Sequence, residues 1–245
     1  MTTLTIQPER DLRGYFFVFL AGLVWSTVGL GIRLVDEAQV WQILFYRSAS
    51  MTLLLYVVIR LRTGQDALRL ALQMGWPGVI GGLSLVAAYT GAIFAIQTTS
   101  VANAMMLFAC SPLLAAILGR VVLREYVRPQ TWVAIVVAGC GIAVMVWDKF
   151  GGAALVGNLA AIGSAVGFAT FTITLRWGKA TEMMPAIFLS GLFGMGLMAA
   201  ICFWLGLPLR ISNADTALSL GMGVFQVGLG LILYTIGSRT VPAAE

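Results

Sequence analysis

The sequence predicts an all-α fold, a polytopic bundle of transmembrane helices. Three observations support this prediction: 60% of the 245 residues are hydrophobic, only 10% are charged, and the mean hydropathy is +0.94. Soluble domains carry about 25% charged residues. A chain this apolar cannot cover its own surface with polar groups, so we expect it to lie in the hydrocarbon of a membrane.

Apolar runs recur along the chain, each close to the roughly 20 residues that cross the hydrocarbon. No small-residue cleavage site follows the first run, so we expect an anchor and not a removed signal peptide. The predicted helices span about Gly14–Ile32, Val40–Ile59, Gly75–Ile96, Val101–Leu123, Gln130–Trp147, Leu155–Trp177, Met183–Leu205 and Thr216–Gly237. The segment Arg60–Gln73 is predicted as a loop.

The helical pattern restarts after residue 147, which predicts two internal repeats. A shift of 143 positions pairs Thr27 with Thr170 and Arg33 with Arg176. Because the first unit has five helices, the second would enter from the opposite side, as an inverted repeat. We divide the chain into a first repeat, 1–147, and a second, 148–245, cut after its third helix. Eight helices are then present, and we expect a native protein with ten. Unrelated helices that match by chance are the alternative.

The basic residues predict the orientation. The inner segments would hold Arg10, Arg13, Arg60, Arg62, Arg69, Arg120, Arg124, Arg128, Arg176, Lys179 and Arg239, and the outer segments Arg33, Lys149 and Arg210. Basic residues concentrate on the cytoplasmic side of membrane proteins. We therefore expect an integral protein of a bacterial inner membrane with a cytoplasmic N-terminus. Topology explains the net charge of +5, and no nucleic-acid partner is expected.

The stretch from Gln97 to Trp132 contains a polar turn, an apolar helix interrupted by Ser111-Pro112, and a basic turn with one glutamate, Glu125. A glycine-rich helix follows. In this order and spacing the stretch resembles the EamA repeat of the drug/metabolite transporter superfamily. The resemblance implies a ten-helix transporter whose first, third, fourth, sixth and eighth helices line a central cavity.

Polar and aromatic side chains inside apolar runs are the candidate substrate-binding residues, because lipid offers them no partner. The candidates are Trp25, Ser26, Arg47, Tyr89, Thr90, Ser111, Pro112, Thr170 and Gln226. Serine and threonine often bond carbonyls of their own helix, so a structural role is the alternative for each of them. Pro112 would either form a simple packing kink or free a carbonyl toward the cavity.

Arg47 lies well inside an apolar run, roughly 10 Å below the outer end of its helix. Its side chain could snorkel to the interface and pair with Asp36 or Glu37. The resemblance implies a mainly structural arginine in this helix. The third interpretation is contact with an anionic substrate group. All ten acidic residues fall in predicted tails or turns, so we expect no carboxylate relay inside the membrane.

Residue types that would support catalysis or metal binding are scarce. The sequence has no histidine, and Cys110, Cys140 and Cys202 all lie in apolar runs. We expect no cofactor and no metal. The predicted function is a secondary transporter that exports a small metabolite or amino acid by alternating access about a midplane cavity. Its expected partners are a small-molecule substrate and the lipid bilayer, with a homodimer left open. The alternatives are an intramembrane enzyme and a non-transporting scaffold or receptor.

Overall fold

The computed structural model describes residues 12–147, 152–178 and 183–237, and within these ranges the regular structure is helical, without strands. In chain order the helices are α1 (Leu12–Ser26), α2 (Val28–Arg33), α3 (Val40–Thr63), α4 (Ala67–Gln73), α5 (Gly75–Thr98), α6 (Val101–Phe108), α7 (Ser111–Val122), α8 (Pro129–Trp147), α9 (Gly152–Trp177), α10 (Met184–Trp204), α11 (Asn213–Met222), a π-helix (Gly223–Leu229) and α12 (Gly230–Gly237).

The apolar runs fold as helices, which confirms the prediction of an all-α bundle. In the described part of the chain six helical stretches are long and apolar enough to cross a membrane: Arg13–Arg33, Val40–Thr63, Gly75–Thr98, Val101–Val122, Leu155–Trp177 and Met184–Trp204. They correspond to the predicted helices one to four, six and seven. A shorter apolar helix, Pro129–Val144, lies at the predicted fifth.

Two predicted helices are interrupted. The first is divided at Thr27 between α1 and α2, and the Thr27 hydroxyl donates to the Val24 carbonyl at 2.7 Å. The fourth is divided at Ala109-Cys110, between α6 and α7. Pro112 lies in the first turn of α7, a position where a proline has no intrahelical N–H bond to lose. The interruption thus lies within one turn before Pro112, inside the stretch Val101–Val122 that is long enough to cross the membrane.

The loop predicted over Arg60–Gln73 is wrong for most of its length. Helix α3 continues to Thr63 and ends at Gly64, whose φ of 68° is left-handed and suits glycine. Asp66 then caps α4 by accepting from the backbone N–H of Leu68 at 2.8 Å and of Arg69 at 3.3 Å. Aspartate is a favoured N-cap residue, so the chain forms a second short helix before α5.

The predicted eighth helix contains an irregularity that the apolar pattern did not indicate. Its first part, α11, passes into the π-helix Gly223–Leu229, which continues as α12. Gln226 lies in the middle of the π-helical segment and is 4% exposed. Single π-helical turns inside α-helices are frequent at functional sites.

Helices α5 and α9 pack almost backbone to backbone. The Ser164 hydroxyl donates to the Ala88 carbonyl at 2.5 Å. A Cβ atom placed on Gly167 would lie 2.8 Å from the Ser84 carbonyl oxygen, and one on Gly91 would lie 2.7 Å from a carbonyl oxygen of α9. Helices in lipid associate through such close contacts of small residues, since lipid is as apolar as the helices themselves.

Several helix pairs join the two halves of the chain, among them α1 with α12, α3 with α10, and α5 with α9. If the two predicted repeats were interchanged, the pair α1–α12 would become the pair α9–α5. The pair α3–α10 would stay the same. The division at residue 147 nevertheless stays a prediction. The pairing does mean that a site between these helices is built from both halves of the chain.

Candidate functional site

Arg47 and Tyr89 are brought together by α3 and α5. The Cζ atom of Arg47 lies 5.9 Å from the centroid of the Tyr89 ring, in a cation–π arrangement. The Tyr89 hydroxyl donates to the Ser190 carbonyl of α10 at 3.0 Å and lies 3.4 Å from the Ser48 hydroxyl. Gly194 makes room for this hydroxyl, because a Cβ atom there would overlap it. Residues of three helices therefore hold the ring in place.

The charge of Arg47 is incompletely compensated. Its Nε atom is buried without a hydrogen-bond partner. Among the described residues the ion pairs include Arg176 with Glu125 at 2.5 Å, and none includes Arg47. An arginine at the bilayer centre costs about 2.5–3.5 kcal/mol on insertion scales. A cation–π contact contributes about 0.5–2 kcal/mol, so it offsets only part of such a cost.

The pairing of Arg47 with Asp36 or Glu37 that the sequence left open is not found in the described structure. The side chains of both acids are exposed. Their backbone N–H groups bind another residue, Asp215. The structural and the substrate-binding interpretations of Arg47 therefore remain.

A second polar group lies where α1 meets the π-helix. Gln226 donates from Nε2 to the Thr27 hydroxyl at 3.3 Å, and its Oε1 atom is buried without a partner. The indole of Trp25 packs against Gly230, where an added Cβ atom would lie 2.8 Å from the indole Cδ1. Ser26 donates to a carbonyl of its own helix at 2.7 Å. Of the candidates here, Gln226 alone presents a buried polar atom without a partner.

Gly223 connects these two groups. It is the first residue of the π-helix, three positions before Gln226. A Cβ atom placed on Gly223 would overlap the Arg47 carbonyl oxygen and the Ser50 hydroxyl of α3. The backbone of α3 at Arg47 therefore lies directly against the helix that carries Gln226.

No described hydrogen bond joins the other four candidates to Arg47 or Gln226. Thr90 has a buried hydroxyl without a partner. Ser111 is buried at the start of α7, and Pro112 beside it is exposed. Thr170 donates to the Val166 carbonyl of its own helix at 2.8 Å.

A surface pocket lies along α4, away from all nine candidates. It is lined by Asp66, Leu68, Arg69, Leu72 and Gln73. Its walls come from one short helix and the turn before it. Substrate sites usually combine polar groups that converge from several elements, so we do not assign the substrate to this pocket.

Asp215 is a buried residue that connects two segments of the chain, a role that the sequence did not indicate. It lies in the first turn of α11, which corrects the expectation that every acidic residue falls in a tail or turn. Its side chain is 1% exposed. One carboxylate oxygen accepts from the backbone N–H of Asp36 at 3.2 Å, and the other from Glu37 at 3.2 Å and Ala38 at 3.1 Å. It joins the loop after α2 to the start of α11.

These contacts decide the ionisation of Asp215, which precedes the predicted eighth transmembrane helix. Burial of the carboxylate raises its pKa, but the N–H groups of Asp36, Glu37 and Ala38 and the contact with Ser212 lower it. The pKa is lowered overall, because these hydrogen bonds favour the charged form. The spacing of Ser212 and Asp215 is that of a capping motif and could have indicated the helix start. No local pattern indicates the loop that Asp215 binds.

Another buried polar residue was missed, at the start of α9. The Thr99 hydroxyl donates to Asn158 Oδ1 at 3.4 Å, and Asn158 is 1% exposed. Its Nδ2 atom is buried and has no partner. The apolar pattern gave no signal for this contact, since Thr99 lies 59 residues earlier in the chain.

Comparison with known proteins is consistent with this architecture. The chain is 24% identical over 205 residues to an uncharacterized transporter of Helicobacter pylori (strain ATCC 700392 / 26695), covering 80% of this chain and 66% of the relative. It is also 24% identical over 243 residues to Protein RarD of Escherichia coli (strain K12), covering 97% and 76%. The chain thus spans about two thirds of the length of the Helicobacter relative.

A solved structure that is 20% identical superposes with a TM-score of 0.66 over 94% of this chain and 80% of that one, which shows the fold. Residues 12–147 match the EamA-like transporter family, and this match covers more than half of the chain. With six helical stretches able to cross a membrane, the chain is an integral membrane protein of the EamA-like transporter family.

Proposed function

We propose that this protein is a secondary transporter that moves a small metabolite or amino acid out of a bacterial cytoplasm by alternating access. The observation that carries the proposal is the pairing of α1 with α12, α3 with α10 and α5 with α9. Polar contacts also join the two halves of the chain, including Gln226 with Thr27 and Tyr89 with Ser190. Polar groups at helix interfaces inside a membrane are typical of substrate pathways.

The mechanism follows from where these contacts lie. In alternating access two units rock about a site near the midplane. Thr27 and Tyr89 belong to the first predicted repeat, whereas Gln226 and Ser190 belong to the second. Rocking would therefore change the partners of the polar groups and open them to one side and then to the other. The remaining candidates, Trp25, Ser26, Arg47, Thr90, Ser111, Pro112 and Thr170, complete the proposed lining.

The orientation and the energy source are part of the same proposal. The distribution of basic residues supports a cytoplasmic N-terminus in an inner membrane. The sequence holds no ATP-binding motif, so the flux would be driven by a substrate or ion gradient.

Transport in proteoliposomes tests the proposal. Liposomes containing the purified protein would be loaded in turn with labelled amino acids and small metabolites, and efflux would be measured without ATP. We expect efflux of at least one compound well above that from protein-free liposomes. Folded protein that releases none of the panel would contradict a transport function.

Two variants of α9 provide a matched control. Gly167→Val would push a side chain into the backbone of α5, whereas Gly163 has open space around it. If α5 and α9 move against each other during transport, Gly167→Val lowers the efflux rate per folded protein and Gly163→Val does not. Equal rates would argue against movement at this interface.

A further inference from the structure

Arg47 is a cation whose described surroundings contain no counter-ion. It is held over the Tyr89 ring, and its Nε atom is buried without a partner. The residue as a whole is only partly buried. A guanidinium presents five N–H donors in a plane that matches a carboxylate bidentately.

The nearby acidic groups are engaged elsewhere. The Asp215 carboxylate binds the backbone of the loop at residues 36–38. The side chains of Asp36 and Glu37 are exposed. Among the described residues, therefore, none of these three carboxylates forms an ion pair with Arg47.

The support beneath Arg47 is rigid, as a binding site requires. Tyr89 is tied by its hydroxyl to Ser190 and lies beside Ser48, and Gly194 leaves the space that this arrangement needs. These contacts come from α3, α5 and α10. A ring whose hydroxyl is fixed by residues of α3 and α10 orients the guanidinium before a ligand arrives, which lowers the entropy lost on binding.

We propose that the counter-ion of Arg47 is supplied by the substrate, so that the transported class consists of small molecules with a carboxylate group, such as amino acids or organic acids. This inference rests on the proposed transport function for its biological meaning. The site itself can be tested by binding alone. A carboxylate at Arg47 would complete an ion pair in a region of low dielectric, where such a pair is strong.

The test measures thermal unfolding of the purified, detergent-solubilised protein with added acetate. Acetamide at equal concentration has the shape of acetate without its charge, and chloride controls for ionic strength. Inorganic phosphate tests whether a different anion binds. The variants are Arg47→Gln, which removes the charge, and Arg47→Lys, which keeps it without the planar fork. Arg69→Gln is the matched control, since Arg69 is exposed on α4.

We expect acetate to raise the unfolding temperature of the wild type and of Arg69→Gln, with acetamide and chloride giving no comparable rise. The acetate concentration for the half-maximal effect should increase at least about tenfold in Arg47→Gln and less in Arg47→Lys, because the fork binds bidentately. Without added ligand, Arg47→Gln should unfold at a temperature equal to or above that of the wild type, because an uncompensated buried charge has been removed.

Three results would overturn the proposal. Arg47→Gln could unfold at a lower temperature without ligand, which would show that Arg47 has a structural partner. Acetate could act no better than chloride. Phosphate could stabilise through Arg47 when acetate does not, which would replace the carboxylate by another anion.

If acetate binds through Arg47 but no compound is released from proteoliposomes, the site stands and the transport function fails. If neutral compounds are transported and Arg47→Gln is unchanged, transport stands and the anion site fails.

Discussion

The Asp215 carboxylate accepts a 3.1 Å hydrogen bond from the backbone N–H of Ala38, a residue 177 positions earlier in the chain. Together with the bonds from Asp36 and Glu37, it fixes the loop between α2 and α3 to the beginning of α11. The contact joins a carboxylate to backbone N–H groups, so the hydropathy of the sequence gives no indication of it. It ties together two elements that the proposed rocking would move.

The first prediction concerns the loss of this carboxylate. Asp215→Asn replaces two acceptor oxygens with one and places an NH₂ group against N–H donors, so buried donors lose their partner. We expect a loss of about 1–3 kcal/mol in the free energy of unfolding. Denaturant unfolding in detergent, followed by tryptophan fluorescence, measures it. Asp36→Asn is the control, because Asp36 contributes only its backbone N–H to Asp215. Equal stabilities of Asp215→Asn and the wild type would show that the contact contributes little.

The second prediction is the pH dependence of the same contact. The folded-state pKa of Asp215 is lowered, since hydrogen bonds to the charged form outweigh burial. Its stabilisation is therefore complete above the unfolded pKa, about 3.9, and is lost as the pH falls through the lower folded value. The difference in unfolding free energy between the wild type and Asp215→Asn should stay constant from neutral pH down to about pH 5 and shrink below about pH 4. A difference that disappears already near neutral pH would contradict a lowered pKa.

The third prediction separates two glycines on one helix. A Cβ atom on Gly167 would lie 2.8 Å from the Ser84 carbonyl oxygen and 2.9 Å from the Ala88 nitrogen, both backbone atoms that cannot move aside. Gly167→Ala should therefore destabilise the protein by about 1–3 kcal/mol through overpacking. Gly163→Ala, four residues earlier and in open space, should be neutral or slightly stabilising. Comparing the midpoints of thermal unfolding of the two variants measures this, and equal losses would mean that α5 and α9 lie further apart.

The fourth prediction concerns Gln226. Its Oε1 atom is buried without a partner, and removing this desolvated atom outweighs the loss of the 3.3 Å bond from Nε2 to Thr27. Gln226→Met should therefore raise the free energy of unfolding by about 1 kcal/mol. If Gln226 contacts the substrate, the same change should lower the apparent affinity in the efflux assay. Thr170→Val is the comparison, because the Thr170 hydroxyl is bonded to its own helix and should contribute less to binding. A Gln226→Met protein that is less stable but transports normally would assign Gln226 to structure alone.

Hydropathy and helix length, read from the sequence, determined the membrane-spanning architecture. A run such as Val40–Ile59 is apolar over the thickness of the hydrocarbon, and such a run has few alternatives to a helix, since every backbone group must be bonded internally. The structure confirms that helix and extends it to Thr63. Local chemistry also bears on the boundaries that were mispredicted, because Asp66 caps α4 and Pro112 lies in the first turn of α7.

Only the tertiary structure decided which polar groups meet. Arg47 lies over Tyr89, 42 positions along the chain, because α3 and α5 pack together with α10 and Gly194 leaves room for the hydroxyl. Asp215 binds the loop at Ala38, which lies far earlier in the chain, and Gln226 is buried in a π-helical turn. Hydropathy depends on each segment alone, whereas a buried polar atom is satisfied by whichever groups the packing brings within about 3 Å. The membrane-crossing helices could therefore be predicted from the sequence, but the candidate site required the assembled bundle.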